Sequence, residues 1–231
     1  KEWSAQTWVY NTGMVYGEGN ESNPFFNIVS GVPAEDANGH QWYEAAYDTA
    51  TVGYNEEKQE PIKWEVHNAR FHSAENYNGP PSDQWTTQEV MADIYFRRFF
   101  TTDRLLSGDV YLSCGHDDAP CEYYLNGVLI YQRTGWEIDN WNYNTDESGE
   151  VTDSFPTYQK GWDDNAYVKL TDEQKALIKL NGEQNMLAVH VHQNWGGAFA
   201  DCGLYTSVSG GVDMGYVTPW TGKVLFNSWG G

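Results

Sequence analysis

The side chains best suited to chemistry in this chain are aromatic rings and carboxylates crowded into three stretches. Between Gln132 and Lys169 fall Trp136, Trp141, Tyr143, Phe155, Tyr158 and Trp162, set among Asn, Asp and Gly. His116-Asp117-Asp118 stands between Cys114 and Cys121, and Asn194-Trp195-Gly196-Gly197 follows a run containing His190 and His192. Indole and phenol rings stack on the CH faces of pyranose rings, while Asp, Asn and Gln take sugar hydroxyls in paired hydrogen bonds. These residue types together point to a sugar-binding surface. Trp136 and Trp141 are its leading platforms, Tyr143, Trp162 and Trp195 are further rings, and Asn194, Asp117 and Asp118 are hydrogen-bonding partners. The other account of the insertion is a small aromatic core folded back over a sheet, because a long loop must pack something to stay ordered. For Trp195 the alternative is a ring packed beside a tight turn between strands.

His190 and His192 sit two apart, so a strand would place both on the face opposite Leu187, Val189 and Val191. They either ligate a metal, with Asp201 or His116 as third ligand, or are simply hydrogen bonded on a sheet face. The second is the plainer reading, since no His-Glu-x-x-His motif accompanies them. Acid pairs occur at Glu35-Asp36, Glu56-Glu57, Asp117-Asp118 and Asp163-Asp164, too many for one to be singled out. Glycoside hydrolysis needs two carboxylates roughly 5–10 Å apart across a bound sugar, which spacing along a chain does not define. The chain has no nucleophile elbow, phosphate loop or dinucleotide fingerprint. Binding without catalysis is therefore the expectation, with no catalytic residue assigned.

Composition narrows the partners. With 33 acidic against 13 basic residues the formal charge is −20, a field that repels phosphate backbones and argues against nucleic acid. Mean hydropathy is −0.66 despite 11 Trp, 16 Tyr and 9 Phe, so rings must supply much of the apolar area. No apolar run is long enough to span a bilayer. No signal peptide is visible at Lys1, so the numbering is expected to begin after a processing point or an expression boundary. Of three cysteines, Cys114 and Cys121 would face each other if the loop between them closed a hairpin. That leaves a disulfide or buried free thiols open, while the absence of Cys-x-x-Cys spacing disfavours structural zinc.

Short alternating runs must position these groups. Residues 1–60 read as short strands joined by long loops, and Pro61–His67 as one half-buried strand with Ile62, Trp64 and Val66 on its inner side. Further strands are expected at Ile94–Phe100, Val110–Cys114, Glu122–Leu125, Val128–Tyr131, Asn185–Gln193 and Cys202–Val208. Asn126-Gly127 is a hairpin turn, because both of its central positions need positive φ. Thr171-Asp172-Glu173-Gln174 is a capping box, opening a helix with Ala176, Leu177 and Leu180 as apolar stripe and Asn181-Gly182 as stop. Since the strand from Glu122 runs away from the Cys114–Cys121 loop and its partner returns, the insertion leaves from the same end as His116, Asp117 and Asp118. The sum is one domain over 1–231, an all-β antiparallel sandwich with one short helix and long aromatic loops.

Several of these runs, taken together, resemble a known family. Gln84-Trp85-Thr86-Thr87, Asp93-Ile94-Tyr95-Phe96-Arg97-Arg98-Phe99, Val110-Tyr111-Leu112, Tyr124-Leu125-Asn126-Gly127-Val128-Leu129 and Asn185–Gln193 resemble the galactose-binding-like jelly-roll domains. Such domains stand at the N-terminus of family 2 glycoside hydrolases and occur as ancillary modules of polysaccharide-degrading proteins in gut and rumen bacteria. The resemblance spans 84–131 and 170–206. It implies a jelly roll that binds a polysaccharide or oligosaccharide, or props a catalytic domain in the same or a partner polypeptide. It also implies a secreted or cell-surface setting and, in many relatives, a structural calcium ion. The long aromatic lead-in and the 132–169 insertion depart from the pattern, so no binding residue is carried over. The expected function is a non-catalytic carbohydrate-binding module. Its alternatives are a docking domain of a multidomain glycoside hydrolase and, further off, a glycan-degrading enzyme.

Overall fold

The computed structural model describes residues 4–15, 29–68, 71–72, 90–102, 109–116, 120–133, 165–193, 199–206 and 223–227. Its strands in chain order are β1 (Ser4–Val15), β2 (Val52–Asn55), β3 (Glu60–Lys63), β4 (Glu65–Asn68), β5 (Phe71–His72), β6 (Val90–Thr101) and β7 (Val110–His116). They continue with β8 (Cys121–Leu125), β9 (Val128–Arg133), β10 (Asn165–Lys169), β11 (Gln184–Gln193), β12 (Phe199–Thr206) and β13 (Lys223–Asn227), with one helix, α1 (Asp172–Lys175), before β11. Strands β4-β1-β6-β11-β8-β9 form a six-stranded antiparallel sheet. A second antiparallel sheet has the order β10-β7-β12-β13, with β5 also paired to β12, and β2 and β3 form a separate hairpin. The fold is an all-β sandwich.

Alternation along the strands decides which face goes where. Ile94 and Phe96 of β6, Leu187, Val189 and Val191 of β11, and Cys121, Tyr123 and Leu125 of β8 point inward. There they meet Val110, Leu112 and Cys114 of β7 and Ala200, Cys202 and Leu204 of β12 in one buried cluster. The intervening residues of the six-stranded sheet point the other way and are buried too. Trp8, Tyr10, Tyr95, Met186 and Ala188 form a second cluster with Trp42, Tyr47 and Ile62, which come from the segment 29–64. This segment lies across the outer face as a cap. A side chain at Gly53 would run into the Trp8 ring, so the β2–β3 hairpin approaches the sheet only because that position is glycine.

The Asn126-Gly127 turn forms as expected, with φ of 50° and 84°. The capping box forms as well, Thr171 accepting from the Gln174 amide at 3.2 Å and Gln174 accepting from the Thr171 amide at 3.0 Å. The helix is shorter than its sequence suggests. It ends at Lys175, and Ile178 rather than Ala176 is the buried residue beyond it, while Asn181 and Gly182 form a separate left-handed turn. Asn126 and Asn185 hold this end together: Asn126 donates to the Leu177 carbonyl at 2.7 Å and to Asn185 Oδ1 at 2.9 Å, and Asn185 donates to the Lys179 carbonyl at 2.8 Å.

Two other expectations need correction. Pro61–His67 is not one strand: it breaks at Trp64 into β3, paired with β2, and β4, paired with β1, and Val66 is 69% exposed. Trp64 leaves the ladder to reach the Tyr47 hydroxyl at 3.3 Å. Nor does the Cys114–Cys121 loop close a hairpin. It crosses from β7 in one sheet to β8 in the other. Cys114, Cys121 and Cys202 are buried free thiols, and burial, reinforced by the neighbouring Cys121 and Cys202, pushes the Cys114 thiol well up.

Candidate functional site

On the outer face the alternation of β6 and β11 juxtaposes Asp93 with His190 and His192, side chains 97 and 99 positions apart. All three are buried. Asp93 Oδ1 lies 2.8 Å from His190 Nε2 and 2.8 Å from His192 Nδ1, and Oδ2 accepts the Ser30 amide at 2.8 Å. Burial works against charge on Asp93, but the charge of His192 and the hydrogen bonds of both rings outweigh it and hold the carboxyl below its ordinary range. An ionised carboxylate only accepts, so His190 Nε2 and His192 Nδ1 both donate. The other ring nitrogen of His190, Nδ1, sits 3.7 Å from Glu122 Oε2. Tyr95 stacks on the His190 ring at 4.4 Å, fixing its orientation. The third partner of the histidines is thus Asp93, while His116 and Asp201 belong to β7 and β12 of the other sheet.

The cap is tied to this face by several polar contacts. Trp8 donates its indole N–H to the Gly31 carbonyl at 2.9 Å, and Ser30 reaches Asp93. Arg97, buried on β6, donates to the Glu44 carbonyl at 2.7 Å, and its guanidinium lies over the rings of Tyr47, Trp64 and Phe99 at 5.3, 5.8 and 5.6 Å. Burial lowers its pKa to about 10, so it keeps its charge at neutral pH. Within the cap, Asp36 accepts from the amides of Asn38, His40 and Asp48 at 2.8, 2.9 and 2.9 Å and contacts His40 Nδ1 at 2.9 Å. Burial opposes its charge, and these N–H groups overcome it and hold the carboxyl well below the usual range. Asp36 thereby folds the turn that carries Trp42 and Tyr43.

Where the cap meets β8 and β11 it leaves a cavity of about 490 Å³. Trp42, Tyr43, Tyr95 and Tyr124 wall it, and Gln41, Glu122, Gln132 and His190 supply its polar atoms. Tyr43 and Tyr124 stack with centroids 4.2 Å apart and planes 4° apart, while Trp42 meets Tyr43, Tyr95 and Tyr124 edge-on at 5.6, 5.2 and 5.5 Å. Burial raises the Tyr124 hydroxyl strongly, with further push from Glu122 and Tyr43, so it stays protonated and donates to Glu122. A concave, ring-walled site with a few convergent polar groups is the form that small-molecule sites take.

The cavity lies at the end of the sandwich that the sequence singles out. Cys121 pairs with Arg133 and with Val191, and the His192 amide donates to the Pro120 carbonyl at 3.0 Å. Pro120, Arg133 and Gln193, which flank the three singled-out stretches, therefore gather at one end, and Pro120 and Gln132 line the cavity itself. Trp136, Trp141, Tyr143, Trp162, Trp195, Asn194, Asp117 and Asp118 all lie outside the described residues. The rings that wall the cavity were missed because Trp42 and Tyr43 stand in a stretch with no period. Asp93, Tyr95 and Arg97 alternating along one strand was a readable signal that its second face is buried.

The described residues do not fit the calcium ion that the family resemblance implies. Both buried carboxylates, Asp36 and Asp93, have their oxygens occupied by N–H donors, and no group of three or more His, Cys, Asp or Glu suited to a metal ion is found among the described residues. Likewise, among the described residues no helix is long and apolar enough to cross a membrane.

No protein-family model matches this chain, and no curated protein is similar to it. Among solved structures it is similar to the Epithelial Adhesin 9 A domain from Candida glabrata in complex with Galβ1-4GlcNAc, with a TM-score of 0.39 and 9% identity over 91% of this chain and 85% of that chain. That likeness is too slight to bear on what this chain binds.

Proposed function

We propose that this protein is a carbohydrate-binding domain, acting as one unit over 1–231, and that its saccharide docks in the cavity between the cap and the outer face of the six-stranded sheet. The observation that carries the reading is the grouping of Trp42, Tyr43 and Tyr124 with the polar tips of Gln41, Glu122 and Gln132 around one opening. Rings supply apolar contact to a sugar's CH faces, and carboxylate and carboxamide groups take its hydroxyls. Catalysis has no part in this reading: among the described residues Glu122 is the one carboxylate of the lining, where hydrolysis of a glycoside uses two. Trp136, Trp141, Tyr143, Trp162, Trp195, Asn194, Asp117 and Asp118 extend the same surface, since the stretches that hold them adjoin Pro120, Arg133 and Gln193. The kinship with galactose-binding-like jelly rolls belongs to this reading too, and with it a secreted or cell-surface bacterial protein serving a polysaccharide-degrading system.

Affinity electrophoresis over a panel of plant and host polysaccharides tests the proposal. Wild type should be retarded by at least one glycan, Tyr124→Ala and Tyr43→Ala should lose the retardation, and Gln132→Ala, an exposed position, should weaken it without changing the unfolding midpoint. Undiminished retardation in all three variants would remove the cavity from the site.

A further inference from the structure

We propose that Cys114 and Cys202 form a disulfide in the oxidised protein, stapling β7 to β12 and leaving Cys121 as the odd thiol; this is independent of the carbohydrate reading. Cys114 and Cys202 are direct partners in the β7–β12 register. Directly opposed residues of an antiparallel pair send their side chains to the same face, and both cysteines are buried in the inner cluster. Their Cα atoms are therefore about 4.5 or 5.5 Å apart, according to the kind of pair. Both separations fall inside the roughly 4.4–6.8 Å that a disulfide spans. Cβ atoms so opposed lie about 4.5–5.5 Å apart, and closing to the roughly 4.5 Å a disulfide accepts takes a small shift.

Cys121 is the partner that the sequence offers Cys114, since one short loop joins them, but the two sheets hold them apart. Cys121 lies on β8 of the six-stranded sheet and Cys114 on β7 of the other. Facing sheets pack about 10 Å apart, whereas Cα atoms more than about 7 Å apart are bridged only if the backbone moves. The free thiols of the structure are the reduced form. Oxidation takes a disulfide reagent such as oxidised glutathione. The Cys114 thiolate attacks it and releases one thiol, and Cys202 then displaces the second from the mixed disulfide. Two protein thiols lose two protons and two electrons, and the reagent's disulfide becomes two thiols. Burial holds the Cys114 thiol well above its ordinary pKa, so the folded protein presents little thiolate and the exchange belongs to folding, before the sheets close. The bond closes a loop that contains β8, β9 and β11, and with them Glu122, Gln132 and His190 of the cavity. Constraining so long a loop in the unfolded chain stabilises the fold, and such bonds persist in the oxidising setting of secreted and cell-surface proteins.

Refolding the full chain from the reduced, denatured state in a mixture of oxidised and reduced glutathione tests this. Remaining thiols are alkylated in denaturant, and the chain is cut without reduction before Asp117 and Asp118, which separates Cys114 from Cys121. The expected peptide map joins Cys114 to Cys202 and leaves Cys121 alkylated. Thermal unfolding of the oxidised form should lie roughly 5–15 °C above that of the reduced form. Cys121→Ala should keep this oxidation-dependent gain and Cys202→Ala should lose it, each variant being compared with its own reduced form so that any packing loss cancels. A bond through Cys121, alkylation of all three thiols, or a gain that survives in Cys202→Ala overturns the proposal. Should Cys202→Ala fail to fold, the peptide map of the wild type decides alone.

Discussion

The inner face of β6 and β11 presents Ile94, Phe96, Leu187, Val189 and Val191 to the opposite sheet, and packing alone holds it. The outer face of the same two strands presents Asp93, Tyr95, Arg97, His190 and His192 to a cap, every one of them buried. An apolar face needs only the right volume, and any β-rich segment of matching shape could have covered it. A face with buried charge needs a specific partner for each polar atom, because an unsatisfied one costs its full desolvation. The cap supplies several of them from backbone, the Ser30 amide for Asp93 and the Glu44 and Tyr47 carbonyls for Arg97, while Arg97 Nε is buried without a hydrogen-bond partner among the described residues. A cavity lies where the polar face meets the cap, next to His190. Function is thus expected on the side of the sheet that satisfies charge.

Breaking the outer face should have the largest effect. Asp93→Ala strands two imidazole N–H groups and an amide in the interior, and removing one partner of a buried pair costs about 3–5 kcal/mol. Urea unfolding at neutral pH measures it. The pH dependence follows from the same group. Its folded pKa lies below the unfolded value of about 3.9, so its contribution is present in full above that value and is lost as pH falls through the folded pKa. Asp36 acts in the same acidic window and with the same sign. Asp93→Asn should therefore flatten the acid limb of a stability–pH profile, and an unchanged limb would contradict the assignment.

On the inner face, Leu187→Ala leaves a void between the sheets and should cost about 2–5 kcal/mol. It should leave the acid limb unaltered, which sharpens the contrast between the faces. The smallest effect belongs to the far end, where Thr171→Ala removes the capping hydroxyl of α1. A loss of about 1 kcal/mol is expected there, with glycan retention untouched.

What the sequence disclosed follows the range of the interactions involved. The Asn126-Gly127 turn and the Thr171–Gln174 capping box depend on neighbours within four residues, and both are present as read. The alternation of β11 correctly put His190 and His192 opposite Leu187, Val189 and Val191. Their partner Asp93 lies nearly a hundred positions away, and no local pattern links such groups. Trp64 reads as part of a strand because Ile62 and Val66 alternate with it, yet its bond to Tyr47 breaks that strand. The cap was opaque for a different reason: Asp36 organises it through backbone amides, which every residue type possesses. That the 132–169 insertion leaves beside the Cys114–Cys121 loop was legible from strand direction alone, since Cys121 pairs with Arg133, whereas the meeting of Trp42, Tyr43 and Tyr124 was not, because ring count does not say which rings meet.

Hydroxyl-radical footprinting, with and without a glycan that retards the protein, tests the central claim most directly. Tyr54 is 49% exposed on β2, away from the cavity lining, and serves as the internal reference. Oxidation of Tyr43 and Tyr124 should fall when the glycan is added while that of Tyr54 holds steady. Unchanged oxidation of Tyr43 and Tyr124 in the presence of a bound glycan would contradict a saccharide site on the outer face.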